Sequence, residues 1–112
     1  MNSPNGFCQK TVNLEGRSFS LQIQKFENGF FVSISEGPSR LGSMVVSLSG
    51  GPTPVTTTVI PSRSESLFLK LTAERISSRI KGIAIVSSFV QKELETDTAK
   101  ALMSEIMEMI EK

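Results

Sequence analysis

The sequence predicts an α+β domain in which five strands are followed by a helix, a sixth strand and a second helix, the order βββββαβα. Apolar and polar residues alternate over residues 18–24, a strand-helix-strand passage spans residues 54–90, and residues 96–110 have helical periodicity. The 112 residues fit one domain, which at this size buries roughly two-thirds of its unfolded surface. We assign the domain to residues 7–112 and expect residues 1–6, which have little to bury, to be a mobile tail.

The first two strands are predicted within residues 8–24. Residues 8–14 favour an edge strand, and Glu15 and Gly16 separate it from a clearer second strand. In that second strand the apolar side chains alternate with Ser and Gln, which is typical of a half-buried strand. These apolar residues are Phe19, Leu21 and Ile23.

Asn28 and Gly29 predict a tight hairpin turn of type I′, because both residues tolerate a positive φ angle. The third strand, over residues 30–35, would then run antiparallel to the second. Alternation along it places Phe30 on one face of the sheet and Phe31 on the other.

A fourth strand is predicted over residues 42–48, after a Gly-Pro turn at residues 36–39. It is expected to continue the antiparallel meander. Alternation places Val45 on one face and three apolar neighbours on the opposite face. These neighbours are Met44, Val46 and Leu48.

Residues 55–60 are a β-branched run that favours a fifth strand, and Pro61 ends it because proline lacks a backbone donor. Ser62 and Glu65 have the spacing of a capping box, so a helix is expected to begin there. We expect Gly82 to end that helix in the left-handed conformation. The apolar residues of the helix share one face, opposite to Lys70, Glu74 and Ser77: Leu69, Ala73, Ile76 and Ile80.

Residues 83–90 are nearly continuously apolar, as expected of a central strand that is covered on both faces. A last helix is predicted to begin near Thr96 or Asp97, either of which could cap it. Its apolar residues cover about half of the helical wheel. We expect both helices to pack on one face of the sheet, with the apolar face of the first helix meeting Ile106 and Ile110.

Composition excludes several classes of protein. The sequence has no His and one cysteine, Cys8, so an intrachain disulfide is impossible and a reducing compartment is expected. No apolar run approaches ~18 residues, and we expect neither a membrane span nor a secretory signal. The net charge of +1, with both signs interspersed, predicts that neither nucleic acid nor a membrane is a partner. We expect the protein in the cytoplasm or the nucleus.

No group of residues suggests catalysis. Without His, a general base would have to be a perturbed carboxylate, Lys or Cys, and Cys8 has no recognisable base motif near it. The Gly pair at residues 50–51 lacks the Lys-Ser/Thr ending of a phosphate-binding loop. Glu93, Glu95 and Asp97 could form a small cation site. We favour the alternative that these carboxylates are solvated at the start of the last helix. We therefore expect a protein that is not an enzyme and binds no cofactor or metal.

Three surfaces could bind a protein partner. The basic residues Arg63, Arg75, Arg79 and Lys81 would suit an acidic partner, or would simply be solvated. The methionines of the last helix, Met103, Met107 and Met109, could form an adaptable binding face, but we favour the alternative that they fill the core. The face of the sheet away from the helices is the strongest candidate, because its side chains are too apolar for a surface that contacts only solvent. We assign the partner-binding residues of this face as Phe31, Val45, Thr56 and Thr58.

The chain resembles the small eukaryotic proteasome assembly chaperones, the fourth member of that family more closely than the third. The resemblance rests on residues 30–35, on Leu-Gly-Ser-Met-Val-Val at 41–46, on Pro-Val-Thr-Thr-Thr at 54–58 and on residues 66–88. It implies a non-enzymatic protein that pairs with a sister chaperone and helps to assemble the alpha ring of the proteasome core particle. It also implies a six-stranded, largely antiparallel sheet with two helices, which agrees with the element order above. For the isolated chain, a monomer and a homodimer are both open.

A second class of function also fits the sequence. Similar dimers of a sheet and helices occur in small scaffolds of trafficking or signalling complexes, and a fold does not by itself fix a function. Co-purification of proteasome alpha subunits would distinguish the chaperone from such a scaffold. A deep pocket with converging carboxylates would instead indicate an enzyme.

Overall fold

The computed structural model describes residues 6–62 and 66–111, which form one six-stranded sheet with two helices packed against it. The elements follow the predicted order, and the α+β fold is confirmed. They are β1 Phe7–Leu14, β2 Arg17–Phe26, β3 Gly29–Glu36, β4 Ser43–Leu48, β5 Val55–Ile60, α1 Ser66–Ile80, β6 Ile83–Phe89 and α2 Thr96–Glu111.

The expected tail and the expected capping box belong only in part to the described residues. Residues 1–5 of the expected tail and Glu65 of the expected capping box lie outside the described residues. Gly6, which we had assigned to the tail, belongs to the fold, because its carbonyl accepts a 3.0 Å hydrogen bond from the backbone N–H of Lys25. Neither described helix is long and apolar enough to cross a membrane.

The strands lie in the order β1-β2-β3-β6-β4-β5. All neighbouring pairs are antiparallel except β3 and β6, which run parallel. The simple meander predicted for the first half of the chain is therefore wrong at β4, because β6 occupies the place between β3 and β4. The prediction that β6 is a central strand is confirmed, since both of its edges are paired, but the helices cover only one of its two faces.

The type I′ turn lies in the first hairpin, and not in the second hairpin where it was predicted. The type I′ geometry occurs at Glu15 and Gly16, whose φ angles are 52° and 76°. At the second hairpin, Gly29 already pairs with Phe26 as the first residue of β3, and neither Asn28 nor Gly29 has a positive φ. The hairpin was predicted correctly, whereas its turn type was not.

The core lies between the sheet and the two helices. α1 packs on β4 and β6, and α2 packs on β1 and β2. The predicted helix positions join one cluster with the inward side chains of the strands, including Phe19, Leu21, Val32 and Val86. In that cluster Leu69, Ala73, Ile76 and Ile106 are buried, and Ile80 and Ile110 are partly buried.

The C-terminus of α1 ends in a Schellman motif. Lys81 takes the left-handed conformation, with φ 55°, and the N–H of Gly82 donates to the carbonyl of Ser77 at 3.1 Å. The prediction that Gly82 is the left-handed residue is thus wrong by one position. Glycine is required there for another reason, because a Cβ atom would lie 2.4 Å from the carbonyl oxygen of Asn28.

A partly buried ion pair between Arg17 and Glu36 connects the loop before α2 to the sheet. Arg17 donates to both carboxylate oxygens of Glu36, at 2.9 and 2.7 Å, and to the carbonyls of Lys92 and Glu93. The Glu36 carboxylate also accepts the backbone N–H of Gln91 at 2.9 Å. The hydrogen bond from Arg17 is the main reason why the pKa of Glu36 lies below its usual range.

Candidate partner-binding face of the sheet

The helices leave one face of the sheet uncovered, and we call it the outer face. Residues paired directly across neighbouring strands point to the same side of a sheet. The register places Gln24, Phe31, Ile85, Val46 and Thr57 in one row across five strands of this face. The opposite parity, which includes Val32, Val86 and Val45, points into the core.

The outer face carries no charge on any of its described strand residues. Its β1 and β2 side is mostly amide and hydroxyl, with Gln9, Gln22 and Gln24 as examples. The remaining four strands contribute a continuous apolar area. This apolar area consists of Phe31, Met44, Val46, Leu48, Val55, Ile60, Ile83, Ile85 and Phe89.

Several of these apolar side chains are open to solvent. Leu48 is 48% exposed, Val55 is 64% exposed and Ile60 is 43% exposed. Antiparallel sheets that face water usually alternate apolar residues inside with polar residues outside. Depletion of charge together with a central apolar area is instead typical of the core of a protein interface.

The structure divides the four residues that we assigned to partner binding between the two faces. Phe31 lies on the outer face and is half-buried, as expected. Val45 points the other way and is 1% exposed in the core, so its predicted outward position is wrong. Thr56 pairs with Ser47 and Thr58 pairs with Val45, so both lie on the helix side of the sheet.

The packing of α1 explains the orientation of β4. α1 lies on β4, and the side chains that β4 presents to it are small, Val45 and Ser47. The alternate residues Met44, Val46 and Leu48 consequently point to the outer face. The alternation in the sequence grouped these three residues correctly but carried no information on which group faced the helix.

A hydrogen-bonded network fixes α1 over β4 and β5. The hydroxyls of Ser47 and Ser77 lie 2.9 Å apart, and the Thr56 hydroxyl donates to a carboxylate oxygen of Glu74 at 2.7 Å. Ser77 is fully buried, so the prediction that it points away from the core is wrong. A small polar side chain fits at this position because it lies under the helix and finds a hydroxyl partner on β4.

The loop between β3 and β4 forms a rim at one end of the outer face. The Ser35 hydroxyl accepts the N–H of Arg40 at 3.1 Å, and the N–H of Gly42 donates to the Ser87 hydroxyl at 3.0 Å. The Arg40 guanidinium lies 5.1 Å from the centre of the Phe89 ring. This rim places a positive charge beside the apolar area, and no pattern in the sequence predicted it.

The other candidate sites lie elsewhere. Cys8 is buried in the core cluster. Glu93, Glu95 and Asp97 are exposed at the entry to α2, and the described residues contain no group of three or more His, Cys, Asp or Glu that could hold a metal ion. Of the basic residues, Arg79 forms an ion pair with Glu111, and Arg63 lies outside the described residues.

Comparison with known proteins gives a match of fold and none of sequence. No family model and no curated protein matches the sequence. A chain in the "Crystal Structure of a Novel Chaperone Complex for Yeast 20S Proteasome Assembly" superposes with a TM-score of 0.65. The fold is shared with a chain of that chaperone complex. The match covers 90% of this chain and 94% of the other at 13% identity, a level at which the similarity concerns the fold.

Proposed function

We propose that the protein is a chaperone that dimerises with a sister chaperone and promotes assembly of the alpha ring of the proteasome core particle. The uncharged outer face, with its continuous apolar area, is the observation that carries this proposal. The fold shared with a chain of the yeast chaperone complex and the resemblance of residues 30–35, 41–46, 54–58 and 66–88 support it. In this proposal the protein acts through its surfaces and is not an enzyme.

The outer face explains how such a dimer would form. Two sheets that pack face to face make a sandwich, and here its two outermost layers would be helices. An interface of ordinary size buries ~1,600 Å² in total. The apolar side chains of β3, β6, β4 and β5 would form its centre, and the amide-rich β1 and β2 would form a polar border.

The identity of the partner distinguishes this function from its alternatives. The sister chaperone is the expected partner in the cell, and the isolated chain is expected to form a homodimer through the same face. The proposed dimer would present a composite surface to proteasome alpha subunits, in the cytoplasm or the nucleus. Resemblance to the fourth rather than the third member of the family stays a prediction.

Co-expression tests the proposal directly. The tagged chain is purified from cells that express it with the sister chaperone, and the bound proteins are identified by mass spectrometry. We expect the sister chaperone and proteasome alpha subunits in the purified complex. Recovery of a dimer with components of a trafficking or signalling complex, and without alpha subunits, would favour the scaffold and refute the assembly function.

A further inference from the structure

α1 and α2 leave a groove between them on the side of the molecule opposite to the outer face. Two depressions of about 380 and 340 Å³ adjoin there, and they share Arg75 of α1 and Met103 of α2. The two helices run in the same general direction, since Arg75 contacts Met103 and, further along both helices, Arg79 pairs with Glu111. The groove is lined by residues between 71 and 78 of α1 and between 100 and 107 of α2, which is about two turns of each helix.

The floor of the groove is apolar and deformable, whereas its walls also contain Ser78 and Ser104. Met103 is half-buried and Met107 is 6% exposed, so both thioethers line the floor on the α2 side. Leu71 contributes an apolar wall on the α1 side and is 48% exposed. Methionine side chains adapt their shape to a partner more readily than branched side chains do.

Two of the three charged side chains that line the groove, Arg75 and Lys100, are positive, and the third is Glu74. Arg75 reaches the sulfur of Met103 at 3.9 Å, and neither Arg75 nor Lys100 forms a salt bridge with a described carboxylate. The Glu74 carboxylate is half-buried, is held towards β5 by the hydrogen bond from the Thr56 hydroxyl, and keeps its negative charge. The groove thus offers two available cations beside an apolar floor.

Three of the four acidic residues of α2 lie towards β1 or are already paired, and the fourth, Asp97, is exposed three residues before Lys100. Glu105 forms an ion pair with Lys10 of β1, and Glu108 lies close enough to the same lysine to act on its charge. Glu111 is paired with Arg79 at the end of the groove. Glu105 and Glu108 of α2 therefore lie towards β1, whereas the side that faces α1 carries Lys100 and, at its end, the paired Glu111.

We propose that this groove binds an acidic amphipathic helix of a protein partner. Apolar residues of the bound helix would pack on Met103, Met107 and Leu71, and its carboxylates would reach Arg75 and Lys100. Placement of a helix along two parallel helices is a common packing arrangement, and the described groove contains no open strand edge for an extended peptide. The groove and the outer face lie on opposite sides of the molecule, so both can be occupied together.

A designed peptide provides the probe. It has about 16 residues, with Leu at helical spacing on one face and Glu along both borders, and the control peptide has Lys at every Glu position. Methyl-labelled methionine in the full chain reports the site of binding by NMR. We expect the acidic peptide to shift the Met103 and Met107 signals while Met44, on the outer face, is unchanged.

Substitutions test the role of the two cations. Arg75→Glu combined with Lys100→Glu should weaken binding at least about tenfold, as expected when both charge pairs become repulsive. Lys70→Glu, also exposed on α1 but outside the groove, should leave the affinity unchanged. Circular dichroism checks that the variants, which alter exposed side chains only, remain folded.

Three results would overturn the proposal. They are equal binding of the Lys peptide, no shift at Met103 or Met107 up to about 1 mM peptide, and shifts at Met44 instead. The outcome is independent of the proposed function, because loss of dimerisation or of alpha-subunit recovery would leave peptide binding at the groove intact.

Discussion

Val46 of β4 pairs with Ile85 of β6 at the centre of the outer face, and both side chains are half-buried. The preceding residue, Val45, is 1% exposed under α1. Two adjacent valines thus belong to opposite sides of the sheet, one in the core and the other in the candidate interface. From the sequence alone, Phe31 and Val45 are predicted to lie on the same face. Because the structure separates them, substitutions at these two positions test the proposed dimer.

Phe31→Asp and Val45→Asp should have different effects. Phe31→Asp places a charge in the uncharged outer face, so we expect a folded monomer that no longer binds the sister chaperone or recovers alpha subunits. Val45→Asp buries an unpaired charge in the core and should prevent folding. Size-exclusion chromatography of co-expressed chains, circular dichroism and an alpha-subunit pull-down measure the three properties.

The matched control for this experiment is Thr11→Asp. Thr11 is exposed on the same face but on the edge strand β1, far from the apolar area, so we expect the dimer to persist. If Phe31→Asp still elutes as the dimer and still recovers alpha subunits, the outer face is not the interface.

Ile76→Ala should lower the free energy of unfolding by about 2 to 5 kcal/mol, because Ile76 is fully buried between α1 and the sheet. Leu71→Ala, on the same helix but 48% exposed, should change it by less than about 0.5 kcal/mol. Urea denaturation followed by circular dichroism measures both values. Equal effects of the two substitutions would contradict the burial of this helix face.

The free energy of unfolding should decrease at acidic pH because the Glu36 carboxylate becomes protonated. Its pKa is lower in the folded than in the unfolded protein, mainly because of the hydrogen bond from Arg17, so the folded state resists protonation. The stabilisation is therefore present above the unfolded pKa of about 4.3 and is lost as pH falls through the lower folded pKa. Urea midpoints at several acidic pH values should fall less steeply for Glu36→Gln than for the natural chain.

The partner of this carboxylate gives a second measurement. Arg17→Ala leaves the Glu36 carboxylate partly buried without its cation and should cost about 3 kcal/mol at neutral pH. Glu15→Gln, an exposed substitution in the adjacent turn, serves as the control and should retain the pH dependence of the natural chain. An unchanged acid profile for Glu36→Gln would show that the ion pair does not link stability to pH.

Lys81→Gly should raise the free energy of unfolding by about 0.5 to 1 kcal/mol, because Lys81 has the left-handed conformation that glycine adopts without strain. Gly82→Ala should lower it, since the added Cβ would lie 2.4 Å from the carbonyl oxygen of Asn28. Thermal unfolding distinguishes the two. A lower stability of Lys81→Gly than of the natural chain would contradict the left-handed conformation of Lys81.

The sequence by itself determined the elements of this protein and the side of each helix that is buried. Period-2 alternation at Phe19, Leu21 and Ile23 and helical periodicity at Leu69, Ala73 and Ile76 are local properties, since each depends only on the geometry of one element. Their burial in the structure follows from that geometry. Phe31 was placed on the outer face for the same reason.

Only the tertiary structure decided where β6 lies, and with it which residues form the outer face. Pairing of β6 with both β3 and β4 joins residues far apart in the chain, and no local pattern encodes it. Alternation gives two faces of β4 without saying which one meets α1, so Val45 and Val46 could be assigned only once α1 was seen to pack on β4. The Arg17–Glu36 pair and the groove between the helices likewise depend on side chains that meet only when distant segments pack.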